Sequence, residues 1–114
     1  SINDNLLEIK FYGGSNSRWE DIFKFKLNLH DYDENIWIEL IYAKLTDYHT
    51  STGEGEIKTY DFLTHKMKSE FGYVAIEGSQ LAEKEYDLVK TKGLLRLKDF
   101  DPRKISDYLT ELEI

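Results

Sequence analysis

Along the first part of the chain the hydrophobic positions recur every second residue. Leu6 to Tyr12 (LLEIKFY) sets Leu7, Ile9 and Phe11 against Leu6, Glu8, Lys10 and Tyr12. Ile22 to Leu29 alternates more cleanly, with Phe23, Phe25, Leu27 and Leu29 on one side and Lys24, Lys26 and Asn28 on the other. Ile36 to Leu45 follows, with Ile36, Ile38, Leu40 and Tyr42 on one face and Trp37, Ile41 and Ala43 on the other. Period two is the signature of a half-buried strand. Short polar connections, Gly13–Ser17 and Asp31–Asn35, separate the three runs, so they predict an antiparallel meander. In that meander the Gly13–Ser17 loop and the segment after the third strand share one end of the sheet. The Asp31–Asn35 turn lies at the other end.

Beyond the third strand the rhythm changes. Thr46 to Glu56 (TDYHTSTGEGE) is rich in Gly, Ser, Thr and acids and predicts a surface loop. In Thr59 to Phe71 the residues Leu63, Met67 and Phe71 are spaced by four, Thr59 is placed as an N-cap and Asp61 in the first turn, which predicts a helix ended by Gly72. Tyr73 to Glu77 fits either a short strand or a linker. Ser79 to Lys92 predicts a second helix, capped by Ser79 and closed by Gly93, with Leu81, Ala82, Tyr86, Leu88 and Val89 on its apolar side. A hairpin pairing Tyr86–Val89 with Leu94–Leu97 competes with it. Leu94 to Phe100 predicts a last strand. Asp101-Pro102 then opens a terminal helix whose Ile105, Tyr108, Leu109 and Leu112 form one stripe. The expected architecture is therefore a single α+β domain over residues 1–114. It consists of a three-stranded antiparallel meander plus a later strand, with two to three helices packed on one face of the sheet.

Composition narrows the function classes. The chain has 114 residues, no Cys, and a formal net charge of -7 from 15 Lys and Arg against 22 Asp and Glu. A chain without Cys has no disulfide and no thiolate metal site. The acidic excess argues against binding a phosphate backbone and permits a basic protein partner. No apolar run approaches a membrane span, and no basic segment followed by an apolar core opens the chain, so the expected compartment is the cytoplasm.

Candidate chemistry is sparse. Asp31, Asp33 and Asn35 begin like a calcium loop, but the sixth and twelfth places hold Ile36 and Tyr42 instead of Gly and Glu. A hairpin turn capped by Asp and Asn side chains is the simpler reading. His49-Thr50-Ser51-Thr52 resembles one half of a two-histidine phosphoesterase, yet no histidine follows His65 to supply the other half. There is no G-x-S-x-G, and Gly53-x-Gly55 and Gly13-Gly14 lack the frame of a phosphate loop. The expectation is a chain that is not an enzyme and needs no cofactor or metal. What remains is recognition. Asp47, Tyr48, Glu54 and Glu56 at one end of the sheet, and Asp31, Tyr32 and Asp33 at the other, interleave acids with tyrosines. That combination joins steering charge to rigid anchors and makes these residues the candidate partner-binding set.

Two stretches carry a family resemblance. Thr59-Tyr60-Asp61-Phe62-Leu63 resembles a Thr-Pro-x-Trp-Leu helix start, with Tyr60 in place of Pro and Phe62 in place of Trp. Leu94-Leu95-Arg96-Leu97 with Phe100-Asp101, then Ile105 and Leu109, resembles a strand ending in an aromatic–Asp pair that opens a helix. In these features the chain is similar to bacterial immunity proteins of polymorphic and contact-dependent toxin systems, the group known as immunity family eight. The likeness covers about half of the chain, and Tyr73–Lys92 is longer than the family's connection. It implies an antitoxin-like protein that binds a cognate toxin, commonly a nuclease, and neutralises it stoichiometrically through an acidic surface. The alternative is a generic interaction or regulatory domain, with self-association one option, so both a monomer and a homodimer are open.

Overall fold

The computed structural model describes residues 2–3, 6–30, 35–88 and 95–112. Seven strands follow one another: β1 (Ile2–Asn3), β2 (Leu6–Gly14), β3 (Ser17–His30), β4 (Asn35–His49), β5 (Gly55–Asp61), β6 (Lys66–Gly72) and β7 (Ala82–Asp87). Each pairs antiparallel with the next, giving one sheet in the order of the sequence. A single turn of 3-10 helix at Leu97–Asp99 and one α-helix, α1 (Ile105–Leu112), complete the described elements.

This corrects the α+β expectation of two to three helices: among the described residues the fold is an antiparallel meander with one short α-helix. Thr59–Phe71 is not a helix. It is the end of β5, a turn and most of β6, with Tyr60 paired to Met67 and Glu56 to Phe71. A spacing of four is even, so it suits a strand of period two as well as a helix; Met67, Ser69 and Phe71 share one face here. Asp61 does cap a turn, but a hairpin turn. Its Oδ1 accepts from the N–H of Leu63 at 3.0 Å and of Thr64 at 3.1 Å, and His65 closes the loop at φ 58°. Ala82–Asp87, expected inside a helix, is β7 and pairs with β6. Tyr73–Glu77 belongs to the connection between them. Of the competing hairpin, Tyr86 pairs with Met67 of β6 and Arg96 bridges Glu39 of β4, while Val89, Leu94 and the helix end at Gly93 lie outside the described residues. Of the predicted strand Leu94–Phe100, only an isolated bridge from Arg96 to Glu39 is extended pairing, and the 3-10 turn follows it.

The first three long strands lie in the expected antiparallel order, with one internal correction. The β3–β4 register slips between Lys24, opposite Tyr42, and Phe25, opposite Leu40, which leaves Ile41 as a bulge. The slip reverses the alternation, so Leu40 and Ala43 both face the core. Tyr42 turns to the outer face, where the Lys24 ammonium stands 4.7 Å from its ring centre.

One face of the sheet carries the core. Phe23, Phe25, Leu40, Ala43, Tyr60 and Met67 are buried beneath Ile105, Leu109 and Leu112 of α1. Phe100 meets Phe23 and Phe25 edge-on at 4.9 and 5.3 Å, and Phe62 lies between Tyr60 and Tyr108. The C-terminal segment fits beside the half of β4 that β5 does not reach: the Leu40 N–H donates to the Leu95 carbonyl at 2.7 Å. Asp101 starts the approach to α1 as its sequence suggests, accepting from the Arg103 N–H at 2.9 Å. The Arg103 side chain adds a second contact, and together they hold the Asp101 carboxyl below its ordinary value.

Lengths decide what the helix can cover. Strands of 14 and 15 residues (β3 and β4) run about 50 Å, whereas an eight-residue helix is about 12 Å long. The body is accordingly drawn out to 52 Å by 29 and 25 Å. At the end of the sheet away from α1, no described residue covers the core-side face.

Candidate functional site

The open end is built by three connections. The turn between β2 and β3, the 50–54 turn and the 73–81 loop meet there. Thr50 donates from its N–H and from its hydroxyl to the Asn16 carbonyl at 2.9 and 3.1 Å. Ser17 Oγ lies 3.2 Å from His49 Nδ1. The Ala75 N–H donates to the Gly53 carbonyl at 3.2 Å, which sets the longer loop against the shorter one.

Antiparallel register then puts specific side chains in line. Gly13, Trp19, Asp47, Glu56, Phe71 and Ala82 are successive partners across β2 to β7. Directly opposite residues share a face, so this row lies on the core-side face, beyond the reach of the helix. Trp19 is 42% exposed and Phe71 37%, a large aromatic area for a sheet face. The Trp19 indole lies across Gly13: a Cβ there would stand 3.0 Å from the ring. Between the two aromatics sit two carboxylates on neighbouring strands, Asp47 and Glu56.

The next row toward the core places Asp21 opposite Leu45 and Lys58 opposite Ser69. Burial, reinforced by the negative charge of Asp47, pushes the Asp21 carboxyl above its ordinary value. Glu56 has partners: Ser69 Oγ donates to it at 3.1 Å and Lys58 Nζ stands 3.7 Å away. Among the described residues Asp47 forms no ion pair.

On the side of the row away from the core, an open hollow of about 470 Å³ is lined by Asp47, His49, Glu54, Phe71 and Tyr73. Its floor is backbone, because Gly55 and Gly72 face each other across β5 and β6. Gly55 has no alternative there: a Cβ would stand 1.9 Å from the Asp47 carbonyl oxygen. A second hollow, about 400 Å³, is bordered by Tyr12, Arg18, Glu20 and Tyr48.

The sequence-based set is therefore divided. Asp47 and Glu56 are brought together, but on strands, not in the expected 46–56 loop; only the 50–54 turn separates β4 from β5. Tyr48, one residue on from Asp47, belongs to the opposite face with Arg18. Glu54 stands exposed in the turn, its N–H donating to Thr52 Oγ1 at 3.2 Å. Asp31, Tyr32 and Asp33 lie outside the described residues, as does most of the calcium-like segment. Trp19, Phe71 and Tyr73 were not among the candidates. Once β3 and β6 are recognised as strands, cross-strand register gives the first two.

The outer face differs in character. Lys10 pairs with Glu20 at 3.6 Å, Lys68 with Glu70 at 3.6 Å, and Lys66 with Asp87. Opposite charges pair at these three places, while Glu70 also stands directly opposite Glu83 of β7. Among the described residues no group of His, Cys, Asp and Glu is arranged to hold a metal ion, and no helix is long and apolar enough to cross a membrane. His65 lies at the far end of the β5–β6 hairpin, roughly 20 Å along the strand from the His49 end.

These features define an antiparallel β protein with an open, acidic and aromatic sheet end. Comparison with protein families, with curated proteins and with solved structures finds no match.

Proposed function

We propose that this protein is a non-catalytic inhibitor that binds a partner protein through the open end of its sheet and acts by occlusion. The partner that fits is a basic toxin domain such as a nuclease, neutralised in the manner of an immunity protein. The observation that carries this reading is the row Trp19–Asp47–Glu56–Phe71. It pairs exposed aromatic area with carboxylates at a place that no described residue covers. A nuclease cleft focuses positive potential for nucleic acid, and an acidic surface complements it.

Self-association through the sheet edge is disfavoured on charge. The exposed β7 carries Glu83, Glu85 and Asp87 on one face. Two copies related by a two-fold axis normal to the sheet would set these acids against each other.

The test is co-expression with a toxin domain encoded beside this gene. Restored growth of the host and a one-to-one complex on purification are expected. A neighbouring frame without a toxin domain, or a toxin that kills equally with and without this chain, would overturn the reading.

A further inference from the structure

The aromatic end of the sheet is an unpartnered face, and the charges on it select its occupant. We propose that it docks an arginine-bearing basic segment of the partner protein, the guanidinium seated over Asp47 and Glu56 with Trp19 and Phe71 as flanking walls. This rests on the protein-binding reading above and adds the chemistry of what is bound.

Geometry comes first. Neighbouring strands are about 4.8 Å apart, so the two carboxylates stand side by side and the two aromatics roughly 14 Å apart at the ends of the row. Like charges directly opposite on adjacent strands destabilise a sheet. The native fold carries that repulsion in a region where no described residue packs over it. Only one described cation relieves it, Lys58, which is 3.7 Å from Glu56 and 39% exposed in its side chain. Asp21 adds a third carboxyl behind Asp47, its pKa raised first by burial and then by the Asp47 charge.

A guanidinium answers this arrangement better than an ammonium does. Its planar fork offers donors to two carboxylates at once, and the rings at the two ends of the row take the apolar parts of the residues flanking the arginine. Tyr73, 47% exposed beside Phe71, extends the aromatic wall for the residues flanking the arginine. A nucleic acid would meet repulsion here. A second copy of this chain would bring another net charge of -7.

Lys58 is then an internal competitor, which gives the proposal a distinctive sign: removing it tightens binding. The experiment uses the full chain and a short labelled peptide alternating arginine with serine, followed by fluorescence anisotropy at two salt concentrations. The same peptide with lysine, and with neutral citrulline, is run beside it. Expected is salt-dependent binding in the order arginine, lysine, citrulline, with peptide-induced shifts at the Trp19 indole N–H. The double variant Asp47→Asn, Glu56→Gln should weaken the arginine peptide about tenfold or more. Trp19→Ala and Phe71→Ala should each weaken it severalfold, Lys58→Gln should tighten it, and Glu83→Gln on β7 should leave it unchanged. Circular dichroism confirms that each variant folds. No binding of the arginine peptide, equal binding of citrulline, an unaffected carboxamide variant, or a dimer that buries Trp19 without peptide would each overturn the proposal. The two readings fail separately. Peptide binding without toxin rescue removes only the neutralising role, and toxin rescue that is indifferent to Asp47 and Glu56 removes only this docking row.

Discussion

Leu109→Ala tests whether α1 is docked on the sheet as the packing implies. Leu109 is 2% exposed and belongs to the stripe with Ile105 and Leu112, both also buried. The truncation removes three carbons, each worth about 0.8 kcal/mol of burial, or about 2.4 kcal/mol in all. The buried rings around the cluster, Phe23, Phe25, Tyr60 and Phe62, are held by edge-on and stacked neighbours and by the sheet backbone, so the site collapses incompletely and a cavity adds to the loss. The expected destabilisation is about 2–4 kcal/mol. In urea, with a slope of about 1–3 kcal/mol per M, the midpoint should fall by about 1–4 M at unchanged slope. The variant should still bind the arginine peptide at concentrations of urea where it is folded. Phe23, in the covered core, is already about 14 Å along β3 from Trp19. A loss below about 1 kcal/mol would mean that the helix does not pack on this face. Lost peptide binding in folded protein would refute the separation of core and site.

Further outcomes follow from the same contacts. Asp21 has a raised folded pKa, so its contribution to stability is full below the ordinary value of 3.8 and is lost as pH rises through the folded value. Asp21→Asn should therefore raise the thermal midpoint at pH 7 and leave it unchanged near pH 3; no gain at pH 7 would sink the assignment. Asp101 has the opposite sign, since Arg103 holds its pKa down: the difference in stability between wild type and Asp101→Asn should shrink as pH falls through the carboxylate range. Gly14 sits at φ 101°, and a Cβ there would stand 1.9 Å from the Ser17 carbonyl oxygen. Gly14→Ala should cost more than about 1 kcal/mol, visible as a lowered thermal midpoint; an unchanged midpoint would contradict the tight β2–β3 turn. Asp47→Asn without partner should stabilise the chain by up to about 1 kcal/mol by removing the cross-strand repulsion, measured by urea titration, whereas destabilisation would show that Asp47 has a structural partner.

Legibility in the sequence followed physical distinctiveness. Strict alternation with charged outer positions, as in Ile22–Leu29, has one reading, and α1 was legible because Asp101-Pro102 and a stripe at 105, 108, 109 and 112 mix odd and even spacings. The middle of the chain lacks that asymmetry. Leu63, Met67 and Phe71 differ by four, and Ala82 and Tyr86 do too, so both periods accommodate them and a polar residue such as Asp61 caps either structure. The bulge at Ile41 was not visible, because its evidence is the register of two strands and not the order of residues in one. The site suffered the same limit. Asp47 and Glu56 stood out as acids, but their adjacency to Trp19 and Phe71 exists only across strands, over separations in sequence that no local pattern spans.

The uncovered end also bears on why the strands are so long. A meander built only to support α1 could end near Leu45 and Lys58, where the helix-covered core stops. Extending β3 to Ser17 and β4 to His49 adds backbone pairing but little buried apolar surface, and ordering each added residue costs about 1–2 kcal/mol in backbone entropy. A solvated extension would be expected to carry ion pairs, as the outer face does with Lys10 and Glu20 or Lys68 and Glu70. On the core-side face the extension instead carries Trp19 and Phe71 partly exposed, and two like-charged neighbours between them. Each choice is unfavourable for the isolated chain, and all of them become favourable together once a cationic, partly apolar segment lies across the row. That agreement among independently costly features is the strongest physical reason to look for function at this end of the sheet, and not at the helix that anchors the fold.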